Sequence, residues 1–459
     1  EPSLKILLPP GARQILDTLE QSGYEAYAVG GCVRDSLLGK KPHDWDLAAG
    51  ASPEELLRCF QGYRTITDGI RHGTVGVVFP DGVYEVTSFR TDGEYADHRH
   101  PKQVRFVRSL EEDLARRDFT INAMAYHPER GLVDLFGGRR DLQEKTIRCV
   151  GDAKTRYCED ALRILRALRF ASVLGFSLER DTDLQAKECR EQLAYIAPER
   201  IYTEFLRLLC GEGAAAVLRE FAEVAAVFLP ELKPAFGFCQ HSPYHIYDVW
   251  EHTLHVVENT PAQPELRLAA LFHDLEKPSC FTLDSKGRGH FYSHPEQGAK
   301  CAVSALSRLR APKTVIEQVE QLVRMHERNL LPTAPSVRRA LYELGGEQPL
   351  CNLLALQQAD ALAKAPDAVR EQIGRLYQVR LVLQDVLKTG QCYCRKMLAV
   401  DGKDLQALGA RGKTVGDLLA FLLDEVLDGT LPNSREILLD AARRFALSEN
   451  DCRKRGDMV

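Results

Sequence analysis

The chain has 459 residues, 44% of them hydrophobic and 27% charged, an ordinary balance for a folded protein and too long for a single core, so two to four domains are expected. Its net charge of −5 excludes a uniformly basic nucleic-acid binder, and no stretch approaches the roughly 18 unbroken apolar residues of a membrane span. Thirteen cysteines, an odd number, show no paired metal-ligand spacing, and Glu1 to Leu8 carry no secretory pattern, so reduced thiols and a cytoplasmic setting are expected.

In chain order, Tyr24 to Val29 reads as a short apolar strand, followed by Gly30-Gly31 and the helix-like Val33 to Leu38. Glycines at such a turn let backbone approach a triphosphate while helix N–H groups face its charge. His43-Asp44-Trp45-Asp46 comes next. Residues i and i+2 of a strand share a face, so Asp44 and Asp46 can hold one or two Mg²⁺ ions, which favour oxygen ligands. Two such ions would serve an in-line displacement at phosphorus, one activating the attacking hydroxyl and one neutralising the triphosphate. Thr74 to Phe79 and Val83 to Phe89, separated by Pro80-Asp81-Gly82, predict a hairpin, and Glu85 on its second strand is the candidate third carboxylate. Residues 90–101 show no period and read as a loop.

From about Arg156 the spacing turns helical, as in Leu162, Leu165 and Leu168, and almost no strand is expected beyond it. Between Arg139 and Arg169 lies a dense basic cluster, of which Arg156 and Arg169 are candidate RNA contacts. Farther on, His252, His273-Asp274, His294, His326 and Asp360 are strung along helical sequence. Imidazole nitrogens with carboxylate oxygens suit Mn²⁺, Fe²⁺, Co²⁺ or Ni²⁺ better than a tetrahedral zinc site, and such an ion could activate water.

Three segments in order, Tyr27 to Asp35, Asp44 to Ala48 and Arg116 to Ala125, resemble the class II tRNA nucleotidyltransferases of the CCA-adding enzyme and poly(A) polymerase superfamily. The resemblance implies an α+β fold. A polymerase-β-like head with a small mixed sheet (residues 1–150) would precede an all-α neck (151–235), body (236–365) and tail (366–459). It implies untemplated addition of CCA from CTP and ATP to the 3′ end of tRNA, with two Mg²⁺ ions and release of pyrophosphate. Among the residues it assigns to the nucleotide are Gly30, Gly31 and Arg34, and Asp118 as the reader of the ribose with Arg117 and Asn122 in support. Arg156 to Phe170 is similar to the family's nucleotide-selecting helix: Asp160 and Arg163, i and i+3 on one face, would imitate the edge of a template base, with Arg166 beside them.

The loop at 90–101 is similar to one that helps a pocket change from CTP to ATP. Pro198 to Glu204 is similar to a segment bracing that pocket, and Asp401 to Leu405 with Leu431-Pro432-Asn433 is similar to a tRNA-holding tail. The His/Asp series resembles the HD metal-dependent phosphohydrolases, whose implied chemistry here is hydrolysis of 2′,3′-cyclic phosphates or related ends. Glu276 stands where that family usually has glycine, which bears on hydrolysis more than on metal binding. The competing expectations are an A-adding enzyme or poly(A) polymerase, an HD phosphohydrolase with a regulatory front domain, and a catalytically dead RNA-binding protein. No obligate protein partner is expected.

Overall fold

The computed structural model describes residues 5–92 and 104–456, the side chains of 92 and 446–456 excepted. The chain divides into two compact units, Glu1–Lys233 with Arg308–Ala311, and Pro234–Ser307 with Pro312–Val459.

The first unit is built on a seven-stranded sheet in the order Thr65–Ile66, Thr74–Phe79, Gly82–Ser88, Asp46–Ala49, Ala26–Val29, Met124–His127 and Gly131–Asp134. It is mixed: Asp46–Ala49 runs parallel to Gly82–Ser88, and the other pairs are antiparallel. The hairpin forms where the valine- and aromatic-rich runs predict it, with Phe79 opposite Gly82 at the turn. All four residues of the central strand Ala26–Val29 are buried, which is why it reads as an unbroken apolar run rather than an alternating one. The Pro10–Gln21 helix covers the sheet with Ile15, Leu16 and Leu19, none of them exposed.

Helices follow, but not unbroken. Ala153–Glu159 ends at Asp160, whose backbone is extended at φ −145° and ψ 104°, and a second helix runs Leu162–Leu174. The expectation that Asp160 and Arg163 share one face of a single helix is therefore corrected. Asp160 stands in the break between two helices, its side chain accepting from the Leu162 amide at 3.1 Å. Two small sheets also appear where almost no strand was expected: Thr146–Ile147 pairs with Ser177–Leu178, and Phe281–Leu283 with Gly289–Phe291.

The second unit is otherwise helical among the described residues. Near its C-terminal end Leu405, Leu422, Leu423, Leu427 and Leu438 form a core. There Asp401 closes a capping box on Gly402–Ala407, Asp404 pairs with Arg435 at 2.6 Å, and Asn433 bonds both Ala399 and Met397. These motif residues thus fold the tail on itself. The twelve described cysteines are free, and no described helix is long and apolar enough to cross a membrane.

Candidate functional site

A cavity of about 630 Å³ opens in the first unit, lined by Gly30, Gly31, Arg34, Asp44, Asp46, Arg117, Asp118, Asn122, Asp160, Arg163, Arg166 and Arg169 among others. Nine arginines and five aspartates line it, so a chain of net charge −5 presents a cationic cavity. Asp46 begins its strand and Asp44 lies two residues before it, outside the ladder. Glu85 is not among the lining residues but is the register partner of Asp46 on the adjacent parallel strand, so the two side chains leave the same face of the sheet. Desolvation pushes the Asp46 carboxyl up, Arg117 opposes, and the charges of Glu85 and Asp44 push it further. Asp44, Asp46 and Glu85 offer hard oxygen donors of the kind a divalent ion such as Mg²⁺ takes, although their donor atoms do not form one close group as those of the second unit do.

Gly30 sits at φ 76°, in the left-handed region, and a Cβ there would stand 3.1 Å from the Arg117 guanidinium. This turn opens the Gly31–Leu37 helix and points Arg34 at Asn122, whose Oδ1 accepts from it at 2.8 Å. Asn122 in turn donates to Asp118 at 3.3 Å, and Arg166 donates to the other oxygen of Asp118 at 2.7 Å. Burial would push the Asp118 carboxyl up, but the charges of Arg166 and Arg163 outweigh it and hold it at about 2. With its pKa lowered from 3.8, Asp118 contributes stability that is complete above about pH 4 and lost as pH falls through about 2.

Asp160 pairs with Arg200 at 2.8 Å, and Arg169 with Glu204 at 2.8 Å. Both partners come from the Pro198–Leu209 helix, so the segment around Glu204 does fix residues of this cavity. Arg163 is bonded to Glu159 and to the carbonyls of Arg156 and Arg116, and Arg156 to Glu159 and the Ala115 carbonyl. Arg90, Arg200 and Arg207 line the cavity although no spacing in the sequence singles them out. Of the stretch 90–101 read as a loop, Arg90–Asp92 instead form a strand paired with Val104–Phe106, and residues 93–101 lie outside the described residues.

In the second unit His252, His273, Asp274 and Asp360 form one group of close donor atoms, and Asp274, His294 and His326 form another. Asp274 belongs to both. The Nδ1 atoms lie against the carbonyls of Ala363 (His252, 3.3 Å), Ala270 (His273, 2.7 Å), Phe291 (His294, 2.8 Å) and Val323 (His326, 2.6 Å). A carbonyl can only accept, so Nδ1 of each ring carries a proton and Nε2 is the atom turned inward. There it meets carboxylate oxygens: 2.9 Å from His252 to Asp360, 3.3 Å from His273 and 3.2 Å from His294 to Asp274. Imidazole nitrogens facing carboxylate oxygens require a cation between them, a proton or a metal ion, and the buried His273 Nε2 has no partner at hydrogen-bond geometry. The donor set therefore fits a divalent metal held by imidazole and carboxylate, with backbone carbonyls fixing the tautomers. Glu276 does not join the cluster; its carboxylate accepts from Ser279 at 2.5 Å.

Residues 26–148 match the family described as Poly A polymerase head domain, 175–236 a probable RNA- and SrmB-binding site of polymerase A, and 294–442 the tRNA nucleotidyltransferase domain 2 family. The chain is 34% identical over 431 residues to the CCA-adding enzyme of Levilactobacillus brevis, covering 94% of this chain and 96% of that one. It is 35% identical over 440 residues to the CCA-adding enzyme of Enterococcus faecalis, covering 94% and 95%. The crystal structure of the Bacillus stearothermophilus CCA-adding enzyme in complex with CTP superposes with a TM-score of 0.72 at 30% identity, covering 98% of this chain and all of that one.

Proposed function

The chain belongs to the CCA-adding enzyme family, and on that premise we propose how its own residues carry out the reaction. The protein adds C, C and A to the 3′ end of tRNA from CTP and ATP, releasing pyrophosphate. Its relatives named above are CCA-adding enzymes, which disfavours A-only or poly(A) addition and a hydrolase with a regulatory front domain.

The observation that carries the site assignment is the single cavity in which Asp44 and Asp46 meet the arginines and Asp118. Asp44 and Asp46, with Glu85 beside them, would hold the divalent metal, Mg²⁺ by its oxygen donors, which supplies activation of the attacking hydroxyl and neutralisation of the triphosphate. Gly30 and Gly31 leave room for the phosphates, and Arg34 and Arg117 face their charge. Asp118, ionised and fixed by Arg166 and Asn122, accepts from the ribose hydroxyls. Asp160 and Arg163 read the base from the helix break, where the turn of the backbone frees the Asp160 side chain from the helix face. Arg156 extends the cationic surface along the RNA, whereas Arg169, expected to do the same, lines the nucleotide cavity, and residues 151–235 and 366–459 serve as neck and tail. The protein works in the cytoplasm.

The test is incubation with a tRNA ending before CCA, with CTP and ATP separately and together, and sequencing of the products. CTP alone should give CC, and both together CCA; refusal of CTP would sink the assignment. Asp118→Ala should let dCTP compete, shifting the preference for CTP over dCTP by about tenfold or more, since a site built to bond a hydroxyl penalises its absence. It should also cost about 3 kcal/mol of stability by removing the buried carboxylate to which Arg166 donates, Glu204 and Glu159 remaining as the partners of Arg166 and Arg163. Steady-state kinetics and urea titration measure the two effects.

In the second unit, His252, His273, Asp274 and Asp360 hold one metal position and Asp274, His294 and His326 an adjoining one. Mn²⁺, Fe²⁺, Co²⁺ or Ni²⁺ suits this donor set, and such a centre could activate water for hydrolysis of phosphate esters at RNA ends. With Glu276 engaged by Ser279, its carboxylate is not a competing ligand.

A further inference from the structure

Phe170 lies at the floor of the nucleotide cavity, with only 6% of its surface exposed. Three guanidinium groups stand around its ring: Arg169 at 4.2 Å from the centroid, Arg34 at 5.1 Å and Arg166 at 5.6 Å. They arrive from two separate helices, Gly31–Leu37 and Leu162–Leu174. The ring of Phe119, which follows Asp118 directly, meets Phe170 edge-on at 5.8 Å and 82°. One aromatic side chain thus touches the glycine-turn helix, the segment with Asp118 and the arginine-bearing helix.

Three like charges within reach of one another repel, and burial makes the repulsion stronger. Arg169 feels both: burial lowers its pKa to about 10, and Arg166 and Arg207 lower it while Glu204 opposes. Carboxylates meet the same groups, Asp35 at Arg34, Asp118 at Arg166 and Glu204 at both Arg166 and Arg169, but none of them reaches all three guanidiniums. The ring of Phe170 does reach all three, and an aromatic face attracts a guanidinium through its quadrupole without using any N–H donor. We propose that Phe170 is a positioning residue for nucleotidyl transfer, its ring gathering Arg34, Arg166 and Arg169 into a preorganised clamp for the polyphosphate of CTP and ATP alike. The inference rests on the reading that this cavity holds the nucleotide. Phe170 itself touches no reacting atom and sets the affinity for nucleotide, not the rate of the bond-forming step.

Fluorination tests this without changing the side chain's volume appreciably, because each fluorine drains the negative face of the ring. Full-length protein carrying mono-, di- and trifluorophenylalanine at position 170 would be assayed for CTP binding, and for KM and kcat with CTP and ATP on tRNA lacking CCA. Stepwise loss of affinity is expected, reaching about tenfold for both nucleotides at three fluorines, with kcat within about twofold, as desolvated cation–π contacts imply. Phe170→Tyr should retain the unmodified KM, and Phe170→Leu, which keeps the apolar contact but removes the ring, should show a loss like that of the trifluoro form. Inorganic pyrophosphate should weaken as an inhibitor in the same proportion. Affinity indifferent to fluorination, or a fall in kcat without a rise in KM, would overturn the role of Phe170 while leaving the cavity assignment standing. An unmodified protein that binds no CTP would overturn both.

Discussion

Alanine at Asp46 should reduce nucleotide incorporation by about 10³-fold or more while leaving CTP affinity within about tenfold, read from single-turnover incorporation and equilibrium binding with tRNA lacking CCA. The asymmetry follows from what surrounds the side chain. Asp46 is crowded by Glu85 and Asp44 and opposed by Arg117, so the isolated protein gains little from its charge, and removing it relieves repulsion. The carboxylate would serve the transition state by holding the divalent ion that neutralises charge on the oxygens of the transferred and departing phosphates. By contrast, if the arginines that line the cavity hold the polyphosphate as proposed, they hold it before and during reaction alike, and their loss should fall on KM. Asp44→Ala should behave as Asp46→Ala does. Glu85→Ala should do less, since Glu85 stands on the neighbouring strand outside the cavity wall and acts on Asp46 through register alone. Incorporation that survives the Asp44 and Asp46 changes would show that the chemistry lies elsewhere.

Features set by local chemistry are the ones legible in the amino-acid sequence by itself. The hairpin is legible because valine-rich runs flank Pro80-Asp81-Gly82, and the strand that begins at Asp46 because Asp-x-Asp follows a glycine turn; each signal is contiguous in the chain, within residues 74–89 and 30–46. The break at Asp160 is not legible in the same way, although an aspartate bonding the amide two residues on is a helix-start signal; the arginine and leucine spacing across 156–170 simulates one continuous helix. Which side chains from distant segments pair with one another is not set by local spacing, although the resemblance places Arg34, Asn122 and the Pro198 to Glu204 segment at one pocket. Arg200 meets Asp160 across 40 residues and Asn122 meets Arg34 across 88, and both pairs exist only because the fold brings two helices and a strand end to one cavity. The histidines are a mixed case: their residue types suggest metal, but the division into two groups sharing Asp274 depends on five separate chain segments converging.

That sharing gives the second large prediction. Asp274→Ala should abolish metal binding at both positions at once, whereas Asp360→Ala should spare the His294 and His326 position, with metal content per chain measured on protein reconstituted with Mn²⁺ or Ni²⁺. The reason is electrostatic as well as geometric. Asp274 is only 1% exposed, and one carboxylate oxygen lies 3.2 Å from His294 and 3.5 Å from His326, while the other lies 3.3 Å from both His252 and His273. Without it, four imidazoles converge with no shared anion to balance a cation, and Lys277, now 2.8 Å from that carboxylate, would become an unneutralised charge beside them. Added metal should raise the Tm of the unmodified protein, corresponding to about 2.7 kcal/mol at a hundredfold excess over Kd, and should leave Asp274→Ala unmoved. CCA addition should persist within about twofold, because every lining residue of the nucleotide cavity belongs to the other compact unit. Retention of metal by Asp274→Ala would refute the bridging arrangement, and loss of CCA addition together with metal would tie the two centres to one reaction.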